Sequence, residues 1–307
     1  MFKITDYYFL KKLIPRWLQI VIRRELIRRK LSLFRDVWPI CETAGKPPEG
    51  WQGWPDGKKF ALVLTHDVET KEGLEKCHLL MDVEERSGFR SSFGFVAKDY
   101  EVPQKLLKEI ENRGFELYIH GLHHNKSPFR SKEGFSRQAN EINRYLAEWG
   151  AVGFRSPSMY HDLELVHDLN IDYDASTFDT DPFEPQPDGV GTIFPFWVAG
   201  NPHQKGYVEL PYTLPQDFLL FILMREQNID IWKRKLDWIA KHGGMALVIT
   251  HPDYMNFEKK ESSYKEFPVR YYEDFLDYIK TKYKDQYWHV LPKKIARFWT
   301  NKYGIKK

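Results

Sequence analysis

The stretch Phe60-Ala-Leu-Val-Leu-Thr-His-Asp-Val-Glu69 restricts what this chain can fold into more than any other. Five apolar residues in succession, bounded by Asp56-Gly57 before and Lys71-Glu-Gly73 after, have the length of a strand but no alternation. Such a strand is covered on both faces, the condition of a parallel sheet flanked by helices. On an extended backbone residues i and i+2 point the same way, so Asp67 and Glu69 converge at the strand's end. Two carboxylates so placed repel unless a positive group lies between them or one keeps its proton. A solvated acidic turn would use the same residues, so the choice rests on what the other strands carry.

Strand-like and helix-like stretches alternate from Lys58 onward. Strands are expected at 91–97, 115–119, 152–156, 171–175, 207–210, 245–250 and 287–290, with helices at 71–87, 103–113, 131–149, 226–242 and 267–280. Repeated β-then-α units predict an α/β fold built on a parallel sheet or barrel, and 307 residues suffice for one large barrel or two ordinary domains. With 29% charged and 42% hydrophobic residues the composition is that of a globular protein. A formal net charge of +3 is too small to argue for nucleic acid as a partner. Cys41 and Cys77 alone imply no disulfide framework and suit a reducing compartment. The Pro/Asp-rich loop 179–189 leads into Ile193-Phe-Pro-Phe-Trp197; it reads as a rim over a site, with Phe194, Phe196 or Trp197 as substrate contacts, or as a plain surface excursion.

Charge is unevenly spread. Residues 1–35 carry ten Lys/Arg against Asp6 and Glu25, interleaved with apolar residues that include Trp17. This basic helical segment reads either as an interfacial helix on an anionic membrane, a peripheral contact, or as helices packed on the main domain with solvated basic faces. Its apolar run is broken by charge and no small-residue cleavage site follows, so it does not read as a signal peptide, and no apolar stretch reaches the length of a membrane span. The expected location is cytoplasmic or at the inner membrane face. The Pro/Gly-rich stretch 41–57 reads as a linker, dividing residues 1–57 from a domain at 58–307.

The expected strand ends collect chemistry. After the 115–119 strand comes His120-Gly-Leu-His-His124, where His120 and His124, four apart, would face one ion across a helical turn. The 152–156 strand delivers Arg155, and the 245–250 strand delivers His251. In parallel α/β barrels these ends meet at one mouth, where the chemistry sits.

Thr65-His-Asp-Val-Glu69, His120-Gly-Leu-His-His124, Arg155-Ser-Pro157, Tyr173-Asp-Ala-Ser176 and Leu247-Val-Ile-Thr-His251 follow the order of motifs in the polysaccharide deacetylase (NodB homology, carbohydrate esterase 4) family. The resemblance covers residues 58–295 and leaves out the basic N-terminal segment. It implies a distorted (β/α)7 barrel, one divalent metal ion (zinc the usual one), a carbohydrate substrate and removal of N-acetyl groups from amino sugars by metal-activated water. Carried over residue by residue, it implies Asp67 as base, His251 as acid and Arg155 as the group that holds the base. Glu69, His120 and His124 would be metal ligands, and Pro157, Tyr160 and Trp197 substrate contacts. A backbone N–H near Met159 or Tyr160 would meet the oxyanion. The chain departs from the family in having Asp67-Val-Glu69 where adjacent aspartates are common, and His66 where an aromatic is usual. Glu is longer by one CH₂, so either the metal sits farther from the strand or Asp67 itself ligates. Two other readings stay open: an amidase-like relative acting on a small amide, and a catalytically inactive sugar-binding relative.

Overall fold

The computed structural model describes residues 15–126, 128–202, 204–258 and 263–304; expectations for residues 1–14 lie outside them. The first helix, α1 (Arg16–Leu31), precedes β1 (Phe60–Val68), whose nine residues are all buried. There follow α2 (Lys71–Ser87), β2 (Ser92–Phe95), α3 (Gln104–Asn112), β3 (Glu116–Ile119), α4 (Lys132–Trp149), β4 (Gly153–Phe154), β5 (Tyr173–Asp174), β6 (Phe196–Val198) and β7 (Tyr207–Glu209). The rest of the chain forms a π-helical turn (Phe218–Met224), α5 (Asp230–His242), β8 (Met245–Thr250), β9 (Met255–Asn256), β10 (Phe267–Pro268), α6 (Arg270–Lys282), β11 (Tyr287–His289) and α7 (Pro292–Tyr303).

β1 is the centre of the sheet. β8 runs along one side, in register from Ala61↔Met245 to His66↔Thr250. On the other side β11 pairs with its first half and β2 with its second, at Asp67↔Gly94. From β2 the parallel order continues through β3, β4, β5 and β7, and β6 adds an antiparallel edge. The sheet curls until the chain after β7 meets β8, where Thr213 and Leu214 N–H donate to Leu247 O at 3.2 and 3.3 Å. Seven strands thus line a distorted ring, β1, β2, β3, β4, β5, β7 and β8. Their C-terminal ends share one mouth, as parallel connectivity requires.

Apolar burial explains why these segments pair. Phe60 to Leu64 and Met245 to Ile249 are wholly buried, which accounts for their lack of alternation. Helices begin and end at recognisable signals: the Thr70 hydroxyl caps α2 at Gly73 N–H, and Gly88 closes it in the left-handed region. Stretch 41–57 joins the same core. Trp51 and Trp54 pack on Trp299 of α7, Trp54 Nε1 donates to Gly243 O at 2.8 Å, and Ile193 N–H donates to Ala44 O. Its Pro/Gly content marks turns, while its tryptophans supply the burial. Five elements escaped the sequence reading: β6, the π-helical turn, β9, β10 (where a helix was expected from 267) and α7. Among the described residues no helix is long and apolar enough to cross a membrane.

Candidate active site

Asp67 stands at the end of β1, buried, beside a fully buried Arg155 that follows β4. Arg155 Nη1 donates to Asp67 Oδ1 and to Thr65 Oγ1, both at 3.0 Å, and Nε anchors the guanidinium on Ala175 O at 2.9 Å. Tyr118 OH accepts from Arg155 Nη1 at 2.7 Å and donates to Asp67 Oδ1. Tyr118 reaches Asp67 by crossing over Gly94 of β2, where a Cβ would lie 2.1 Å from the ring. Burial alone would raise the Asp67 pKa, but the Arg155 charge, with His120, His251 and the Tyr118 hydroxyl, holds it at about 2. The described hydrogen bonds of Asp67 all fall on Oδ1, and the carboxylate stays ionised.

Glu69 lies one residue beyond the strand. Tyr254 OH donates to its Oε2 at 2.5 Å, and its backbone N–H donates to Asp253 Oδ2 at 3.1 Å. Oε1 is left facing His124 Nε2 at 3.0 Å, without hydrogen-bond geometry, and His251 Nε2 at 3.8 Å. Burial opposes ionisation here too, and the neighbouring His124 and His251 with the Tyr254 hydroxyl hold Glu69 well below the ordinary carboxylate range.

His120 Nδ1 lies 3.1 Å from Arg155 O, which fixes that nitrogen as the donor and leaves Nε2 a lone pair. The Nε2 atoms of His120 and His124 are both buried without a hydrogen-bond partner. Ligand atoms of Glu69, His120 and His124 lie within 4.8 Å of one another, so Glu69 is the carboxylate that joins the histidine pair. The expected helical turn is not what brings the imidazoles together. Gly121 has φ +76°, its backbone passing close to Pro157, and a chain of bends returns His124 to the site. Asp99 holds that return by accepting from His124 N–H at 2.8 Å.

His251 follows β8. Its Nδ1 is 2.7 Å from Asp217 Oδ1 and its backbone N–H donates to Asp217 Oδ2 at 2.7 Å. Burial favours the neutral ring, but Asp217, then Glu69 and Asp67, push its pKa up to about 10, so the ring carries a proton at neutral pH. A cavity of about 390 Å³ opens over Glu69, His124 and His251. Tyr160 and Ser158 form part of its wall, and Phe183, Glu184 and Pro185 supply the rim from loop 179–189.

Other expected contacts lie elsewhere. Trp197 faces Asp172, Lys205 and α7 beside the start of β7, away from this cavity, because β6 is an edge strand and not a rim loop. Phe194 is buried against Trp51. Pro157 is buried under the His120 loop, a support and not a wall. The Met159 and Tyr160 N–H groups donate within their own turn, to Ser156 O at 3.4 Å and Pro157 O at 3.5 Å, so neither stands free for an oxyanion. His66 turns from the mouth into a buried network, Nδ1 at 2.7 Å from Thr250 Oγ1 and Nε2 at 2.9 Å from Glu84 Oε1. Tyr118, Asp217, Tyr254 and Asp253 were missed. Tyr118 had a signal, since it precedes His120 by two on β3 and shares its face; Asp217 had another, an Asp set before the apolar run 218–224.

No protein-family model matches the sequence, and no curated protein is significantly similar to it. Solved structures do match. A presumed polysaccharide deacetylase from Mycobacterium smegmatis aligns with TM-score 0.64 at 16% identity over 83% of this chain and 95% of the other. A presumed polysaccharide deacetylase from Pseudomonas aeruginosa PAO1 gives 0.64 at 17% identity, over 85% and 97%. The fold is that of the polysaccharide deacetylases. The Puue allantoinase shares it as well, with TM-score 0.66 at 16% identity over 85% of this chain and 96% of that one. A shared fold at this identity leaves the substrate to be argued from the site.

Proposed function

We propose that the protein is a metal-dependent hydrolase that removes N-acetyl groups from an amino sugar in a polysaccharide or glycolipid. One observation carries the reading: Glu69 Oε1 and the Nε2 atoms of His120 and His124 converge between an ionised Asp67 and a protonated His251. The donor set fits a divalent cation. The buried His120 Nε2 lone pair, without a hydrogen bond, is costly unless something positive receives it; His124 Nε2 lies 3.0 Å from Glu69 Oε1, and two neutral imidazoles with one carboxylate are the ligands of catalytic zinc. Glu69, His120 and His124 would hold the ion, with Arg155 O and Tyr254 OH orienting the ligands from behind. When bound, a divalent cation supplies Lewis acidity at the acetamide and lowers the pKa of nearby water.

The chain's own groups supply the rest. Asp67, held anionic by Arg155 and Tyr118, takes the proton of the attacking water. His251, kept protonated by Asp217, gives its proton to the departing nitrogen, which leaves poorly as an unprotonated amide anion. The cavity has the size of a small-molecule site, and Tyr160, Phe183, Phe218 and Tyr254 line it with aromatic surface of the kind on which sugar rings pack. Acetate release from a panel of N-acetylated amino sugars, with the zinc-loaded protein and after chelation, tests the proposal. Release that stops on chelation is the expected result. Absence of release from every member by metal-loaded protein, or release indifferent to chelation, would refute it.

A further inference from the structure

Helix α1 is incompletely covered by the barrel it packs on. Of its eight apolar residues, Trp17, Leu18, Ile20, Val21, Ile22, Leu26, Ile27 and Leu31, only Ile20 and Ile27 are buried. These two, with Arg24 Nε donating to Ile222 O at 2.9 Å, attach the helix to the π-helical turn. The flank beside that packed face carries Trp17 at 55% exposure and Val21 at 48%, and the chain after it carries Leu33 at 76% and Val37 at 39%. Those four are among six large apolar side chains that stand exposed among the described residues, so the exposed apolar surface is concentrated in one short segment. Charge is concentrated there too: residues 16–37 hold seven Lys/Arg against Glu25 and Asp36, with Arg28, Arg29 and Arg35 exposed.

The same helix borders the candidate active site. Arg23 lines the cavity and its guanidinium lies 4.9 Å from the Phe218 ring centroid. Whatever α1 docks on is therefore brought to the rim of the cavity.

We infer that this segment, through exposed Trp17, Val21, Leu33 and Val37 with the cations Arg28 and Arg35, docks on an anionic lipid surface and presents the cavity there. A protein surface docked on these side chains would need acidic groups to meet exposed Arg28 and Arg29, which share Glu25, and exposed Arg35. A bilayer of anionic lipid supplies the negative charge and the apolar interior together, with Trp at the depth where an amphipathic ring is best placed. The helix lies on the surface and does not span it, as its charge content requires. The docking stands independently of the reaction at Glu69, His120 and His124.

Co-sedimentation of the full-length protein with phosphatidylcholine vesicles, with and without phosphatidylglycerol, tests this. Binding is expected to the phosphatidylglycerol vesicles only and to weaken with salt. Trp17→Ser with Leu33→Ser should abolish it, and Arg35→Ala should lower it about fivefold. Leu79→Ser, at an exposed apolar residue on α2, should bind as the parent does. Circular dichroism and melting of each variant establish that the fold persists. Equal binding to both vesicle types, no loss in the Trp17/Leu33 variant, or a dimer that Trp17→Ser dissolves would each overturn the inference, the last in favour of a second copy as the occupant.

Discussion

Replacing Arg155 by Met isolates the electrostatics beneath the site. Asp67 and Arg155 are both buried, so solvent does little to screen their interaction. With its pKa held at about 2, the folded carboxyl is more acidic than an unfolded Asp near 3.9; the gap is worth about 2.5 kcal/mol. A depressed carboxyl contributes stability that is complete above the unfolded pKa and is lost as pH falls from about 3.9 towards 2. In Arg155→Met burial becomes the dominant influence and raises the Asp67 pKa, so the sign reverses: the buried charge costs stability as pH rises above about 3.9. Breaking such a pair costs about 3–5 kcal/mol at neutral pH, and less near pH 3, where Asp67 of the variant is protonated. Asp67→Asn in the Arg155→Met background should recover part of the loss. Urea unfolding of chelated protein, followed by tryptophan fluorescence at pH 3 and pH 7 for the parent, both single variants and the double, measures the coupling. Additivity within about 0.5 kcal/mol, or one penalty at both pH values, would refute the reasoning.

Asp67→Asn should keep stoichiometric zinc yet lose acetate release by about a hundredfold or more, whereas His124→Ala should lose the metal itself; mass spectrometry under native conditions separates the two. Gly94→Ala drives a Cβ into Tyr118, at 2.1 Å before relaxation, and should cost about 1–3 kcal/mol in thermal unfolding while lowering kcat more than it alters KM. Asp217→Asn removes the charge that keeps His251 protonated; burial then lowers the His251 pKa, and the alkaline limb of kcat should move to lower pH. An unchanged limb would detach Asp217 from that role.

Strands and their ends were legible because burial on both faces leaves unbroken apolar runs, as in Phe60–Leu64 and Met245–Ile249, and because parallel connectivity gathers the residues that follow them. Arg155 and His251 were picked out by that rule, and His120 by it together with its spacing to His124. Trp197 was misplaced because an edge strand and a loop look alike in a Pro-rich stretch, and direction of pairing is not written in three residues. Tyr118 and Asp217 hid for another reason: each acts through a partner distant in sequence, and its worth appears only when Gly94 clears a path or the chain after β7 returns to β8. The return of His124 rests on Gly121 and Asp99, a turn and a clamp, where sequence spacing had indicated a helix.

The extra CH₂ of Glu69 finds its reason in what surrounds Asp67. Arg155 and Tyr118 occupy Asp67 Oδ1, which suits the proposed base, and that oxygen lies 3.8 Å from His120 Nδ1, the nitrogen turned to Arg155 O and not the one turned to Glu69 and His124. On the proposed reading the ligand comes from farther out, beyond β1, where the chain has left the sheet. Glu69 spans that distance with Oε2 on Tyr254 and Oε1 towards His124. Glu69→Asp should then shorten the reach and weaken zinc binding, and lengthening the partner at Asp67 cannot restore it, because Arg155 and Tyr118 would hold the longer carboxylate as they hold the shorter. If Asp67→Glu with Glu69→Asp bound zinc as the parent does, the two carboxylates would be interchangeable and this division of roles would be wrong.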